Sequence, residues 1–175
     1  MSTFESTSKR LQNLKARIPE FPLEKMRLVR LTYHLQKNLR DLTNAALKRH
    51  KLVDASYLVL AVLYGSEDET SSASALGLAC HEKPANLTRL CNDLEQRGLI
   101  LRGSRPGDRR SVMISLTAAG RKTIETVLPA MWQNAVPVYD GLSAEELQQL
   151  DDLLSRQLRN LEKMTQPWPG PGPLR

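Results

Sequence analysis

Leu28, Leu31, Leu35, Leu39, Leu42 and Ala46 fall at steps of three and four, the spacing of one helix face. They predict a long helix over roughly 22–51, with Pro22 in its first turn. A short basic helix over 8–18 precedes it and ends ahead of Pro19. Asp54 is the expected N-cap of a helix running to Tyr64 and ended by Gly65. Residues 66–72 are polar and predict a loop, after which Ser72 caps a short helix over 73–80. Pro84 opens a helix that Gly98 closes, and strands are expected near 99–102 and 111–116. Thr117 caps the next helix, which Pro129 and Pro137 bend or break, and Asp140-Gly141 makes a turn. Ser143 and Glu146 form a capping box for a last helix with Leu147, Leu150, Leu154, Leu158 and Leu161 on one side.

The stretch from Asn86 to Leu116 carries the most information. Leu87, Leu90, Cys91 and Leu94 sit at i, i+3, i+4 and i+7, the buried face of the helix that Pro84 opens. The other side shows Ala85, Asn86, Thr88, Arg89, Asn92 and Asp93, with Lys83 just ahead. Asn and Arg side chains make paired hydrogen bonds to adenine and guanine edges, and Thr reaches phosphate or a thymine methyl. Small Ala85 permits close approach. A turn follows with Arg102, Arg105, Arg109 and Arg110 against Asp108 alone, a net +3 that repels itself unless an anion lies against it. Asp108 is expected to pair with one arginine of the turn and fix its direction, while the others reach phosphates or the minor groove. Helix, strand, basic turn and strand in that order are a DNA-recognition helix and its wing.

The fold class that follows is mainly α with a small β-hairpin: a winged helix-turn-helix flanked by N- and C-terminal dimerisation helices. The expected division is 1–53 for the N-terminal helices, 54–116 for the DNA-binding lobe and 117–166 for the C-terminal helices. The Pro/Gly tail 167–175 is read as disordered. The apolar stripes at both chain ends exceed what one small lobe covers, so a homodimer is expected, C2 being the commonest closed form. Composition agrees: of 175 residues 41% are apolar and the net charge is +6, a balance that favours nucleic acid. No apolar run is long enough to span a membrane as a helix, and the polar beginning lacks a signal core, so no membrane partner and a cytoplasmic location are expected. The two cysteines do not make a disulfide scaffold.

The run Leu94-Glu95-x-x-Gly98-Leu99-Ile100-x-Arg102, then Asp108-Arg109-Arg110, then Leu116-Thr117-x-x-Gly120, resembles the MarR family of bacterial transcription regulators. Phe21-Pro22, Arg30-Leu31, His34, Gln36, Asn86, Thr88-Arg89 and Val127-Leu128-Pro129 further resemble the branch that represses multidrug efflux pumps. The resemblance covers about 20–164 and implies a dimeric repressor on a near-palindromic double-stranded operator. It also implies release by small aromatic or lipophilic compounds bound between the DNA-binding lobes and the dimer helices. His81-Glu82-Lys83-Pro84 departs from the family, which more often has a hydroxyl residue capping the recognition helix.

Candidates for that effector site are Tyr33, His34, Tyr57, Tyr64, Met131 and Trp132, on helices flanking the expected junction. Helical aromatics also serve as core, and His34 equally suits a titrating group or an interface. Cys91 is on the buried face and expected to be inert, whereas Cys80 ends a helix and is expected to be more exposed. The resemblance implies that peroxide sensors carry their cysteine in the N-terminal helix, where this chain has none. Cys80, His81 and Cys91 match no zinc spacing, so no metal or cofactor is expected. The scattered His34, His50 and His81, with no phosphate loop or nucleophile elbow, give no catalytic residues. The alternatives on the same fold are a thiol- or metal-responsive regulator and an architectural DNA-binding protein without an effector.

Overall fold

The computed structural model describes residues 4–105 and 108–165, with 104, 105, 108–111 and 165 described by their backbone alone. Seven helices and three short strands follow in the order α1 (Glu5–Arg17), α2 (Leu23–Leu47), α3 (Asp54–Tyr64), β1 (Thr70–Ser72), α4 (Ala73–Ala79), α5 (Pro84–Gln96), β2 (Ile100–Arg105), β3 (Asp108–Leu116), α6 (Ala118–Ala135) and α7 (Ala144–Thr165). They divide into two compact units, Met1–Ala135 and Val136–Arg175.

In the first unit the apolar faces of α3, α4 and α5 close on the sheet and on α6. Leu47, Val59, Leu60, Leu63, Leu76, Leu94, Ile100, Ile114 and Ile124 are fully buried there. Each such side chain contributes about 1.5–3 kcal/mol by leaving water. The predicted inner face of α5 is confirmed, since Leu87, Leu90, Cys91 and Leu94 are all buried. The stripe of α2 is not covered in the same way: Leu28 is 56% and Leu35 49% exposed.

Several ends differ from the sequence pattern. α1 begins at Glu5 rather than residue 8. α2 ends at Leu47, and a single tight turn over Lys48–His50 leads to Lys51 in the left-handed region at φ 53°. Asp54 does not cap α3 but is its first helical residue. Val53 is the extended residue ahead, and the Asp54 N–H donates to Asn44 Oδ1 at 3.0 Å, a cap supplied by another helix. The expected loop over 66–72 contains β1, which pairs antiparallel with β3 and completes a sheet of order β1-β3-β2. Arg121 of α6 holds the residue before β1, donating from Nε and Nη2 to the Glu69 carboxylate at 2.6–3.0 Å. That hydrogen bond keeps the Glu69 carboxyl below its ordinary range. Both wing strands run longer than predicted, with a register shift between Ser104 and Arg105. Pro129 lies inside α6 and does not break it. Ile124, Val127 and Met131 bury that helix on both sides of the proline, and the helix ends at Ala135, ahead of Pro137.

Other predicted ends hold. Ser72 Oγ accepts from the Ala75 N–H at 3.2 Å. Gly98 takes φ +69° and closes α5, with Leu99 N–H donating back to Leu94 O at 2.9 Å. Thr117 accepts from the Gly120 N–H at 2.9 Å and donates its own proton to Gly98 O at 2.6 Å, so one hydroxyl caps α6 and ties it to the end of α5. Thr117→Ala should therefore lower stability by about 1–2 kcal/mol, whereas Thr117→Ser keeps both bonds. Denaturant midpoints of the two variants check this, and equal midpoints would remove the hydroxyl from the account.

In the second unit the capping box forms as predicted. Ser143 N–H donates to Glu146 Oε2 at 2.8 Å and Glu146 N–H to Ser143 Oγ at 3.2 Å. The stripe it starts is open to solvent in the single chain: Leu147, Leu154, Leu158 and Leu161 are exposed. The tail 167–175 lies outside the described residues.

Candidate nucleic-acid interface

α5 begins at Pro84 because its missing N–H would be unpaired there in any case, and Lys83 is the extended residue ahead. His81, at φ 53°, turns the chain between α4 and α5, and the Glu82 N–H donates to Gly77 O at 2.9 Å. Lys83, Ala85, Thr88 and Arg89 are exposed and Asn86 is half-buried, so the predicted outer face faces outward. Its side chains are not independent. Asn86 Nδ2 donates to Glu82 Oε2 at 2.5 Å, and Asn86 Oδ1 accepts from Arg89 Nε at 3.3 Å and Nη2 at 3.0 Å. Thr88 Oγ1 is turned back to Pro84 O at 2.8 Å.

Two arginines anchor the helix. Arg97, at its C-terminal end, donates to Lys51 O at 3.0 Å and His50 O at 3.5 Å and pairs with Asp93 at 3.4 Å, joining α5 to the turn that follows α2. Arg102 is not part of the free positive charge of the turn, as the sequence pattern has it. From β2 it reaches back over α5, donating to Asn92 Oδ1 at 2.6 Å and Thr88 O at 3.1 Å and pairing with Glu95 at 3.3 Å. The side chains of Arg105, Asp108, Arg109 and Arg110, and the ion pair expected at Asp108, lie outside the described residues.

Of the six effector candidates, His34 packs edge-on to Phe4 at 5.0 Å and lies 3.4 Å from Thr7 Oγ1, filling the contact between α1 and α2. Tyr57 is half-buried against the core, Tyr64 donates to Glu125 Oε1 at 3.3 Å, and Met131 is buried. Tyr33 and Trp132 are exposed. A cleft of about 960 Å³ opens elsewhere, between α2, the start of α3 and the turn before α5. Its wall includes Arg40, Asn44, Lys48, Lys51, His81 and Glu82, and none of the six candidates. Gln36, Arg40, Asn44 and Lys48 line it at steps of four along α2 and into the turn that follows, a polar spacing the sequence carries.

Cys80 is buried rather than exposed, since the last turn of α4 folds under the core. Burial, then the charge of Glu82 and Cys91, pushes its thiol up to about 11. Burial also raises that of Cys91, opposed by its hydrogen bond with Arg102. Such thiols stay protonated at neutral pH, and the reactive thiolate is scarce. Among the described residues no three His, Cys, Asp or Glu side chains gather to hold a metal ion.

The MarR family model matches residues 50–111, the stretch from the turn after α2 into β3. The chain is 29% identical over 165 residues to the transcriptional repressor MprA of Escherichia coli K12, covering 94% of each. It is 30% identical over 124 residues to the HTH-type transcriptional regulator YhbI of Bacillus subtilis, covering 71% of this chain and 77% of that one. This chain belongs to the MarR family. Its structure superposes on that of Sco3205, a MarR-family regulator from Streptomyces coelicolor solved in complex with DNA, with a TM-score of 0.73. That match has 21% identity over 82% of this chain and 89% of the other, and it establishes the winged-helix fold. As a MarR protein the chain is a DNA-binding transcriptional regulator.

Proposed function

We propose that the protein is a homodimeric repressor that reads a near-palindromic operator with α5 and is released by a small, weakly acidic aromatic or lipophilic compound. The observation that carries this reading is the exposed polar face of α5, held by Arg97 at its C-terminal end and by Arg102 along its length, and followed by an arginine-rich hairpin. Arg89 faces base edges with Asn86 beside it, Lys83 and Thr88 face the backbone, and Ala85 lets the helix approach. Arg105, Arg109 and Arg110 reach phosphates or the minor groove, with Asp108 directing one of them. The exposed stripes of α2 and α7 supply the faces that a second copy covers, and two recognition helices then stand roughly 34–36 Å apart. The effector sits in the cleft lined by Arg40, Lys48, Lys51, Asp54 and Glu82: Arg40 pairs with Asp54 at 3.8 Å, Lys48 and Lys51 suit a carboxylate, and neighbouring Leu52, Val53 and Leu58 suit a ring. Similarity to MprA supports repression, and an efflux operon in the cytoplasm of a bacterial cell is the target this reading implies. The buried thiols favour this over a thiol-responsive switch.

The test uses duplexes from the region upstream of the protein's own gene, with salicylate as the probe acid. Sedimentation should give about twice 19.7 kDa, and the protein should prefer one near-palindrome. A ligand releases DNA only by preferring a conformer whose helices are misplaced, so salicylate and operator should weaken each other by the same factor, about 1–3 kcal/mol of coupling. A monomer that binds every duplex alike, or binding untouched by any acid, would overturn the reading. Reversal by a thiol reductant would move the switch to the cysteines.

A further inference from the structure

A relay of side-chain hydrogen bonds crosses the first turn of α5, from Glu82 through Asn86 to Arg89. Glu82 stands immediately before Lys83 and Pro84, where the sequence departs from the family's hydroxyl cap. Its carboxylate accepts one N–H of the Asn86 amide at 2.5 Å, which settles the direction of that amide. The amide oxygen then faces Arg89 and accepts from Nε and Nη2. Two consequences follow from counting donors and acceptors. Asn86 Oδ1 is occupied, so the amide cannot offer the acceptor-and-donor pair that matches adenine. Among the described residues the end-on N–H pair of Arg89 meets no acceptor, and that fork matches O6 and N7 of guanine. Glu82 itself is only half-exposed, and its backbone N–H is held by Gly77 O, so the carboxylate has a fixed base.

We propose that Glu82 is a positioning residue that sets base preference: through Asn86 it aims Arg89 at guanine and removes Asn86 from adenine readout. This rests on α5 being the base-reading helix. It assigns a role in specificity to a carboxylate that a charge count alone treats as a repulsion from DNA.

The test selects binding sites from a randomised duplex library with the whole protein, then measures each variant on the selected site and on a guanine-to-adenine change. The wild type should fix a guanine in each half-site. Glu82→Ala and Asn86→Ala should cut the guanine preference by roughly tenfold, within what one bidentate pair discriminates. Glu82→Gln retains an oxygen that accepts from Asn86, and should keep the preference within about threefold. Both Glu82 variants lose the same charge, so both should gain affinity for scrambled DNA alike. Melting curves of all variants should coincide, which separates the effect from damage to the fold. If Glu82→Gln and Glu82→Ala change every base pair alike, Glu82 acts only as a charge and the relay is overturned. If Arg89→Ala loses affinity equally on all sequences, the base-reading role of α5 falls, and the relay with it. If Arg89→Ala relaxes the guanine while Glu82→Ala does not, the relay alone falls.

Discussion

Gly120→Ala should cost the protein about 3 kcal/mol or more, the upper end of what overpacking a core does. A Cβ at position 120 would stand 2.0 Å from Leu99 O, 2.9 Å from Leu116 Cδ2 and 3.0 Å from the Leu99 carbonyl carbon. The first of these is backbone and cannot swing aside. It is also engaged, since Leu99 O accepts the Thr117 N–H at 3.1 Å. The added methyl must therefore lift α6 off the start of β2, where Thr117 and Gly98 are already tied. At about 2–4 °C per kcal/mol for a chain of this size, the melting point should fall by roughly 6–12 °C. Gly103→Ala is the control. It has nothing within 4 Å of its added Cβ and should change stability by no more than about 0.5 kcal/mol. A Gly120→Ala melting point within a degree or two of the wild type would mean that α6 does not rest on Leu99 as described.

That contact explains why the Leu-Thr-x-x-Gly motif stands out among the residues around it. Its threonine, its glycine and Gly98 make one joint between the end of α5 and the start of α6, so each of the three is chemically constrained. The helix periodicities are legible for the same reason: a buried face imposes its spacing on the chain, as Leu87, Leu90, Cys91 and Leu94 show. Contacts chosen by tertiary geometry leave no such trace. β1 consists of Thr70, Ser71 and Ser72, with no apolar alternation, and is a strand only because β3 lies beside it. Asn44 caps α3 from ten residues away, which no local pattern of Asp54 reveals. Cys80 reads as exposed at a helix end because the amino-acid order does not say what folds over that end. Glu82 and Asn86 do stand at i and i+4, a spacing at which side chains meet, so the first link of the relay has a sequence signal. Composition shows the charge of the wing but cannot sort its arginines. Arg102 sits beside the others along the chain, and only the packing of β2 on α5 shows that it reaches back over that helix.

Arg102→Ala should weaken specific DNA binding by roughly tenfold or more, about 1.4 kcal/mol for each factor of ten, and should leave the salt dependence almost unchanged. The guanidinium joins the wing strand to α5 through Asn92 Oδ1, Thr88 O and Glu95, and its side chain is only 27% exposed. Its removal frees the angle between the β2–β3 hairpin and α5, so that under the proposed function the two no longer meet the DNA in one fixed geometry. It also leaves Glu95 uncompensated on the side of the helix next to the wing. A phosphate-binding arginine would behave differently. Its loss lowers the log–log slope against salt by about 0.9 and weakens all sequences alike. Arg102→Lys should not restore binding, because an ammonium cannot span three acceptors that a planar fork bridges. Binding isotherms of the wild type and both variants between low and moderate salt, on the selected site and on scrambled DNA, separate the two cases. A slope reduced by about one with unchanged discrimination would place Arg102 on the phosphate backbone. An unchanged slope with lost discrimination would identify it as the strut that holds the wing to the helix.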